Sequence, residues 1–438
     1  MAKDAHSLLE TFRPAVAIAL LWAHCAWAQD EVQAVQPVDG IRLDLSDRPA
    51  PYSTAITAPA VDIAPQSVAV DSSTVEAGVL SLRLATGIGY DTNVFRTQFD
   101  ASSGSFWNIR PGIIFNGVAG KHSYVLGYEG DYRQYFDFST EDFYDHRVFA
   151  NANLDLTRKV DVNLSGQVWW GHDPRGSMGA RVINLSDLDT WRESRVRAAL
   201  IYGREITRAQ ITPWMEYTQM RYLNNNQSDR DYNTGELGAR GRWRFNPRFF
   251  GLAQASVANI EHLDPSNGLD RRESNFLVGF GWDATAKTSG EILIGVLNQD
   301  FDDPARGDTS NFDWDASIFW SPKPYSKVTA FTRRTAREDP SGGEGTFLAN
   351  TLGVEWRHAF TQRLELNTGL EYSLANYYNS PRRDKYLAYD FGLTRSFARW
   401  FELRASYQYL GRRSNIPGLN YNDNMFLLEL RAGTDIGF

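Results

Sequence analysis

The chain has 438 residues, with 45 Lys and Arg against 53 Asp and Glu, a net charge of −8 and a single cysteine. This mildly acidic balance argues against a nucleic-acid partner, which would require a concentrated basic surface. Aromatic residues are abundant, with 13 Trp, 20 Tyr and 25 Phe, and such richness in a polar chain suits a sheet with one apolar and one polar face.

The first segment has the features of a secretory signal. Residues 13–28, RPAVAIALLWAHCAWA, begin with a positive charge, continue as a short apolar stretch and end in AWA. The pattern predicts a signal peptide over residues 1–28, and its apolar stretch is too short for a spanning helix. Cys25 would leave with this signal, because the preceding WAH is a poor context for lipid modification. The mature chain would then form no disulfide.

Residues 29–76 are rich in Pro, Ala, Val, Asp and Ser without helical or strand periodicity, as in APAVDIAPQSVAVDSS. We interpret them as a flexible periplasmic segment. The alternative is a small plug or a strand that docks on a partner. The segment is too short and too poor in periodic apolar residues for the folded plug of an energy-coupled transporter.

Residues 77–438 consist of alternating segments of about 12 to 16 residues, as expected of barrel strands. Tight connections between them fall at Gly120-Lys121, Arg158-Lys159, Gly203-Arg204-Glu205, Asn246-Pro247-Arg248, Ala286-Lys287-Thr288, Pro322-Lys323-Pro324, Thr361-Gln362-Arg363 and Ala398-Arg399. Longer polar connections alternate with these tight ones. About eight turns and nine loops would join about 18 strands, with both chain ends on the short-turn rim. After the signal, no apolar run is long enough for a membrane-spanning helix. We therefore predict an all-β, antiparallel, up-and-down outer-membrane barrel.

Alternation along single strands predicts which side chains face the lumen. In the last strand Phe426, Leu428 and Leu430 would face lipid, whereas Glu429 and Arg431 would point inward. The same parity gives a set of inward-facing candidates for the path of a substrate: Arg195, Arg197, Glu236, Arg240, Arg242, Arg244, Asp313, Asp315, Glu429, Arg431, Trp169 and Trp214.

The charged candidates have a functional and a structural interpretation. The guanidinium forks of Arg240, Arg242 and Arg244 could guide an acidic polysaccharide by holding its carboxylates or sulfates through two hydrogen bonds each. Alternatively, the lumen charges pair across neighbouring strands and stiffen a water-filled interior.

The aromatic candidates and the longest loop also leave two alternatives each. Trp169 and Trp214 could stack on sugar rings, or pack beneath a loop that folds inward. The loop between Asp173 and Asp189 contains Val, Ile and Leu residues of its own. It could constrict the channel or lie outside it as a flap.

Aromatic residues near the strand ends predict two girdles at the membrane interfaces. One set adjoins the tight turns: Phe245, Phe249, Trp320, Tyr325, Phe360, Phe397, Trp400 and Phe401. The other set lies near the opposite strand ends: Tyr132, Tyr144, Trp170, Tyr217 and Tyr222. Phe438 would be the outward aromatic at the end of the closing strand. The similarity of the chain to outer-membrane proteins implies that the barrel-assembly machinery recognises Phe438 as an assembly signal.

The first hairpins carry more specific motifs. They include GIGYDTNVFRT from residue 87, GKHSYVLGYEGDYRQYFDF from residue 120 and a stretch ending in WWGHDPRGS at residue 177. In these motifs the chain resembles a family of β-barrel porins found with exopolysaccharide-biosynthesis operons of Gram-negative bacteria. The similarity is concentrated in Tyr90, Asp91, Asn93, Val94, Tyr128, Tyr132, Tyr135, Asp145, His146, Arg175 and Gly176. It implies a channel for secreted polysaccharide.

The sequence shows no catalytic constellation. After the signal, the histidines are His122, His146, His172, His262 and His358, and no Ser-His-carboxylate set can be placed from strand parity. No metal-ligand spacing or phosphate loop is present. His172 in WWGHD is the best candidate for a site, although a rim histidine beside two tryptophans is typical of an interfacial residue. We expect no enzymatic activity and no cofactor.

The leading hypothesis is an outer-membrane channel that assists export of an exopolysaccharide. One alternative is a general or anion-leaning diffusion porin. Another is a non-conducting surface barrel that binds polymer. The expected partners are outer-membrane lipid, the barrel-assembly machinery, and, through the family resemblance, polysaccharide and periplasmic export components.

Overall fold

The structure, a computed structural model, describes residues 77–181, 187–204, 207–285, 287–340, 345–378 and 380–437. The predictions for the signal, for residues 29–76 and for Phe438 lie outside the described residues.

The described residues form eighteen β-strands and three short 3₁₀ turns. The strands are β1 (Ala77–Asp91), β2 (Gly104–Ala119), β3 (His122–Tyr135), β4 (Phe143–Thr157), β5 (Val160–Asp173), β6 (Asp189–Tyr202), β7 (Ala209–Tyr222), β8 (Tyr232–Asn246), β9 (Phe249–His262), β10 (Arg271–Thr285), β11 (Thr288–Phe301), β12 (Thr309–Lys323), β13 (Ser326–Glu338), β14 (Thr346–Thr361), β15 (Leu364–Tyr377), β16 (Arg383–Ala398), β17 (Phe401–Ser414) and β18 (Tyr421–Gly437). None of the described segments is a helix long and apolar enough to cross a membrane.

Each strand pairs antiparallel with its neighbours in sequence, and β1 also pairs with β18, which closes the sheet. The closing pairs run from Val79 with Gly437 to Asp91 with Met425. The predicted up-and-down barrel of 18 strands is therefore confirmed. Closure pairs the two end strands, β1 and β18, with each other, as crossing a bilayer with strands requires.

The two faces of the wall differ as the alternation predicts. Along β8, Leu237 is 63% exposed and Phe245 66% exposed on the outer surface. Between them, Arg240 and Arg242 project to the other face, where they contact carboxylates of β11 and β10. A water-soluble sandwich would bury its apolar face, whereas this barrel presents that face to its surroundings. An apolar outer surface of this kind is stable in lipid.

The connections alternate between two rims, with short turns on one and longer loops on the other. One predicted boundary is wrong, because β12 continues through Lys323 and the turn lies at Pro324 and Tyr325. The pairing register of β12 with β13 shifts between Trp320 and Lys323. This irregularity accommodates Pro322 within a strand, since a proline cannot donate to a regular ladder.

The predicted aromatic girdle beside the short turns is exposed on the outer surface at all eight positions. On the other rim, Tyr144 and Tyr217 are exposed. The assignment of Tyr222 to this girdle is wrong, because it is only 7% exposed and its hydroxyl donates to Asp173, 3.2 Å away. Tyr222 has the same strand parity as Trp214, so it faces the interior.

Candidate functional site

The interior wall of β6 and β7 carries charged side chains in mutual contact. Arg195 lies 3.2 Å from Glu193 and 3.5 Å from Glu216, and Arg197 lies 3.4 Å from Glu216. Glu236 of β8 is the cross-strand partner of Glu216. Two carboxylates in such a position repel each other, and the arginines on β6 offset this repulsion.

The arginine run of β8 also lies beside carboxylates. Arg240 is 2.6 Å from Glu291 on β11. Arg242 and Arg244 lie 3.3 and 3.4 Å from the same oxygen of Asp283 on β10. Each candidate guanidinium on β8 therefore has a charged partner in the wall, which favours the structural interpretation of this run.

The remaining charged candidates lie in similar networks. Glu429 accepts hydrogen bonds from Arg110 and from Asn108 on β2, and Arg431 lies 3.2 Å from it. On β12, Asp313 accepts a hydrogen bond of 2.5 Å from Asn275, and Asp315 is the cross-strand partner of Arg333. The wall thus presents closely spaced charges of both signs.

The two candidate tryptophans are packed against the protein. Trp169 meets Trp191 edge to face, with ring centroids 5.2 Å apart, and adjoins a buried cluster of Trp191, Met220, Tyr222, Tyr232 and Ile260. Trp214 lies over Gly238, where an added Cβ would come within 2.2 Å of its ring. The guanidinium of Arg197 lies 5.2 Å from the Trp214 ring centroid. These contacts favour packing rather than an open face for a sugar.

The longest loop folds into the barrel. We name it L3 (residues 174–188), of which residues 174–181 and 187–188 are described. Met178 is 3% exposed and packs against buried residues of two strands, Phe347 and Ala349 of β14 and Ala375 and Tyr377 of β15. L3 leaves the wall at the end of β5, and β14 lies nine strands further round a barrel of 18. The described part of L3 therefore reaches across the lumen to the ends of β14 and β15, and the interpretation as an external flap is wrong for these residues.

The first part of L3 is fixed to two other loops. Arg175 donates two hydrogen bonds, of 2.6 and 2.7 Å, to the carboxylate of Glu141 in L2 (residues 136–142). The carbonyl of Arg175 accepts a hydrogen bond of 2.6 Å from Arg96 in L1 (residues 92–103). Bidentate pairs of this kind are among the strongest polar contacts in proteins.

Gly176 is required at its position in L3 for two reasons. Its φ is +68°, in the left-handed region that favours glycine. A Cβ there would lie 2.5 Å from the ring of Tyr421, whose hydroxyl donates to the carbonyl of Gly176 at 3.2 Å. In the Arg-Gly pair that contributes to the family resemblance, Arg175 thus fixes L3 to L2 and L1, and Gly176 fixes it to β18.

Two further arginines fix the middle of L3. Arg181 donates to the carbonyl of Pro340 in L7 (residues 339–345) at 2.8 Å and lies 2.5 Å from Asp229 in L4 (residues 223–231). Arg230 of L4 donates to the carbonyl of Gly179 at 2.8 Å. The sequence analysis missed these contacts. Only the arginines flanking the apolar residues of the loop could have signalled them.

The YDTNV stretch, which also carries the family resemblance, shapes L1 beside L3. The Asp91 carboxylate accepts a hydrogen bond of 3.0 Å from the Tyr135 hydroxyl and one of 2.8 Å from the backbone N–H of Asn93. The Asn93 side chain donates to the carbonyls of Thr97 and Asn422 at 2.9 and 3.0 Å. These bonds tie L1 to β18, and so the motif has a structural explanation at the mouth of the barrel.

Arg96 in L1 has a strongly acidic environment. Burial lowers the pKa of its guanidinium, but Tyr421, Asp423 and Asp91 raise it, so that the pKa lies above its ordinary value. Its Nε lies 3.5 Å from Asp423. Arg96 therefore stays charged while it holds the carbonyl of Arg175 in L3.

His172 is buried and does not lie at the membrane interface. Its Nδ1 is 2.9 Å from Asp145, and its ring stacks on Phe143 with centroids 4.2 Å apart. A cavity of about 60 Å³ beside L3 is lined by His172 of β5, Arg133 of β3, residues of L1 to L3, and residues of other strands that include β17 and β18. Within the described part of the chain, no group of three or more His, Cys, Asp or Glu could hold a metal ion.

A closed antiparallel barrel with an apolar outside, a charged interior and an inward-folded loop is an outer-membrane channel barrel by fold. The sequence model of the family described as "Putative beta-barrel porin 2" matches residues 79–434. The chain belongs to this family, whose fold spans the outer membrane of Gram-negative bacteria through its strands. The match extends the resemblance seen in the first hairpins over the whole barrel.

Solved structures of similar fold include Pseudomonas aeruginosa OpdQ, with 11% identity, 82% of this chain and 98% of that chain covered, and a TM-score of 0.43. Acinetobacter baumannii OccAB2 gives 13% identity, coverages of 82% and 98%, and a TM-score of 0.45. The FrpB iron transporter from Neisseria meningitidis (F5-1 variant) gives 8% identity and a TM-score of 0.45, with 79% of this chain and 64% of that chain covered. A comparison with curated proteins finds no match.

Proposed function

We propose that the protein is a gated outer-membrane channel that assists export of an exopolysaccharide. The observation that carries the gating part of this proposal is the course of L3, which crosses the lumen and is fixed at Arg175, Met178 and Arg181. A loop held by a few separate contacts can be released when those contacts are broken, and such loops commonly serve as lids. The resemblance of the first hairpins to porins encoded with exopolysaccharide operons supports the choice of cargo.

The wall supports passage of a hydrated, polar cargo. Its charged residues alternate in sign over short distances, as in the contacts of Arg195 with Glu216 and of Arg240 with Glu291. Such a surface offers many weak hydrogen-bonding sites and little net attraction for either sign of charge. A neutral or weakly charged polymer would slide along it without being held.

The same compensated wall favours a second candidate, a diffusion porin for small polar solutes. In that case L3 would narrow a permanently open path. The anion-leaning form of this candidate rests on the arginine run of β8, in which Arg242 and Arg244 contact the same oxygen of Asp283. A non-conducting barrel that binds polymer on its surface is the third candidate.

Single-channel conductance of the refolded protein in planar bilayers tests the gated channel. We would compare the full chain with a variant in which residues 177–186 are replaced by a short Gly-Ser linker. This variant keeps Asp173, Arg175 and Asp189, which make contacts outside the crossing segment. A small or closed conductance that becomes large in the variant supports a gate. Large steady openings of both proteins would instead support the diffusion porin, and no openings of either would support the non-conducting barrel.

Export itself is tested in the producing cell. Deletion of the protein should remove polymer from the medium, and complementation should restore it. The deletion strain should be compared with one that expresses the loop variant at equal levels of heat-modifiable barrel in the outer-membrane fraction. Polymer secretion that continues without the protein would contradict the export proposal.

A further inference from the structure

The barrel wall divides between β12 and β13. Their pairing begins at Lys323 and Ser326 beside the short turn and ends at Asp315 and Arg333. Beyond that point β12 continues to residue 309 in pairing with β11, and β13 continues to residue 338 in pairing with β14. Within the described residues, the upper ends of these two strands therefore follow separate courses.

A side chain bridges the beginning of this division. The backbone carbonyl of Phe312 accepts a hydrogen bond of 2.8 Å from the guanidinium of Arg334. Arg334 also donates to Asn350 at 2.6 Å and lies 4.2 Å from the ring centroid of Trp314. In a continuous ladder, a carbonyl that points toward the next strand accepts from the backbone of that strand. Here a long side chain takes this role, as expected where two strands move apart.

Beyond the division, the end of the β13–β14 hairpin enters the lumen. We name residues 334–340 and 345–350, which the structure describes, the hairpin end. Glu338 accepts a hydrogen bond of 2.7 Å from Arg271 on β10 and lies 3.2 Å from the His262 ring on β9. Strands β10 and β9 are three and four positions away from β13 in the wall. Contacts of this reach are possible only across the interior.

The burial of β14 agrees with this position. Three successive residues, Phe347, Leu348 and Ala349, are 0%, 8% and 0% exposed. In a strand that forms part of the outer wall, every second side chain meets lipid. Both faces of β14 are covered here, and Phe347 is part of the cluster that receives Met178 of L3.

We propose that the hairpin end is a movable part of the barrel wall, which obstructs the lumen in this structure and opens it by pairing with β12. Continuation of the register beyond Asp315 and Arg333 places Phe312 opposite Ala336, both on the outer face. Pairing would extend the backbone ladder and turn Leu348 toward lipid. It would separate Glu338 from Arg271 and His262. Two alternative sets of contacts for one segment form a two-state element.

The opening part of this inference rests on the proposed channel function, whereas the pairing part does not. Pairing is tested by a disulfide between Phe312→Cys and Ala336→Cys, in a chain that also carries Cys25→Ser. The matched control is Val296→Cys with Phe312→Cys, because Val296 and Phe312 are already partners in the β11–β12 ladder. Cysteines at adjacent cross-strand positions meet the distance that a disulfide requires.

We expect both pairs to form a disulfide under mild oxidation. Only the Phe312–Ala336 bridge should raise the single-channel conductance, by severalfold, and reduction should reverse this rise. If the control pair is oxidised and the Phe312–Ala336 pair is not, the strands do not pair and the proposal is wrong. The bridge could form without changing the conductance, although the same protein conducts once L3 is shortened. The hairpin end would then not be the obstruction.

A second variant measures the two-state element without relying on conduction. Glu338→Gln weakens the contacts with Arg271 and His262 and should accelerate formation of the Phe312–Ala336 disulfide severalfold. Glu216→Gln is the control, because the arginine partners of Glu216 lie on the neighbouring strand β6. Equal rates in the two variants would contradict the proposal. The Glu338→Gln change could accelerate disulfide formation in a barrel that shows no conductance under any condition. That result would refute the channel function but would still support a movable hairpin end.

Discussion

The contact of Met178 with the opposite wall gives the most quantitative prediction. The Met178 side chain is only 3% exposed. It packs in a cluster with Phe347, Ala349, Ala375 and Tyr377. Release of L3 would expose this side chain to the water of the lumen. Burial of a methionine side chain contributes about 2 kcal/mol. Met178→Ala should therefore shift the equilibrium between attached and released L3 by about 30-fold toward release.

Two assays measure this shift. Single-channel recordings should show more frequent or longer openings, although Arg175 and Arg181 still hold the loop. Independently of conduction, a cysteine at Ala349 should react faster with a water-soluble maleimide when Met178→Ala is also present, in a chain that carries Cys25→Ser. Ala349 is fully buried beneath the loop in this structure, so its rate of labelling reports the released fraction.

Met215→Ala is the matched control, because Met215 has the same side chain but is 59% exposed on the outer face. It should leave both the labelling rate and the openings unchanged. If Met178→Ala gives wild-type labelling and wild-type openings at normal levels of heat-modifiable barrel, this contact does not hold L3. The reasoning from burial to gating would then be refuted.

Three further predictions concern the wall, the L1 motif and assembly. Changing Arg240, Arg242 and Arg244 together to Gln removes three positive charges beside Glu291 and Asp283, so the reversal potential in a salt gradient should move toward cation selectivity. An unchanged potential would mean that these arginines are paired structure and do not guide anions. Asn93→Ala removes the hydrogen bonds of the Asn93 side chain to Thr97 within L1 and to Asn422 of β18 and should cost about 2 kcal/mol. The temperature of heat modification on gels should fall, and an unchanged temperature would show that the motif has another role. Deletion of Phe438 should reduce the amount of assembled barrel in the outer membrane, and normal amounts would argue against a terminal assembly signal.

The number of strands and the face that each side chain occupies, lumen or lipid, could be predicted because side chains alternate along a strand with a period of two residues. A shift of one position along Leu237 to Phe245 would place every arginine of β8 in lipid, so the register is strongly specified. The assignment of Tyr222 to the outer girdle is wrong because the height of a residue along its strand does not decide which face its side chain occupies. Its parity, shared with Trp214, would have placed it inside.

The course of L3 and of the hairpin end depends on contacts between residues far apart in sequence. Met178 meets Phe347 and Tyr377 on the opposite wall, and local pattern contains no information on such a pairing. One local signal was present, because Phe347, Leu348 and Ala349 are three consecutive apolar residues within an otherwise alternating strand. Such a run is typical of a strand that is buried on both faces.

The closure between β1 and β18 has a consequence for the order of folding. Ser81 donates a hydrogen bond of 2.7 Å to Asp435, 354 positions later in the chain. Among all pairings in the barrel, this one has the greatest sequence separation, and contacts of that kind form slowly. Until β18 arrives, β1 presents an open edge that can pair with other chains. The protein is therefore most prone to aggregation in the interval between the arrival of its first strand and that of its last strand at the membrane. Shortening this interval would reduce aggregation more than stabilising the closed barrel would.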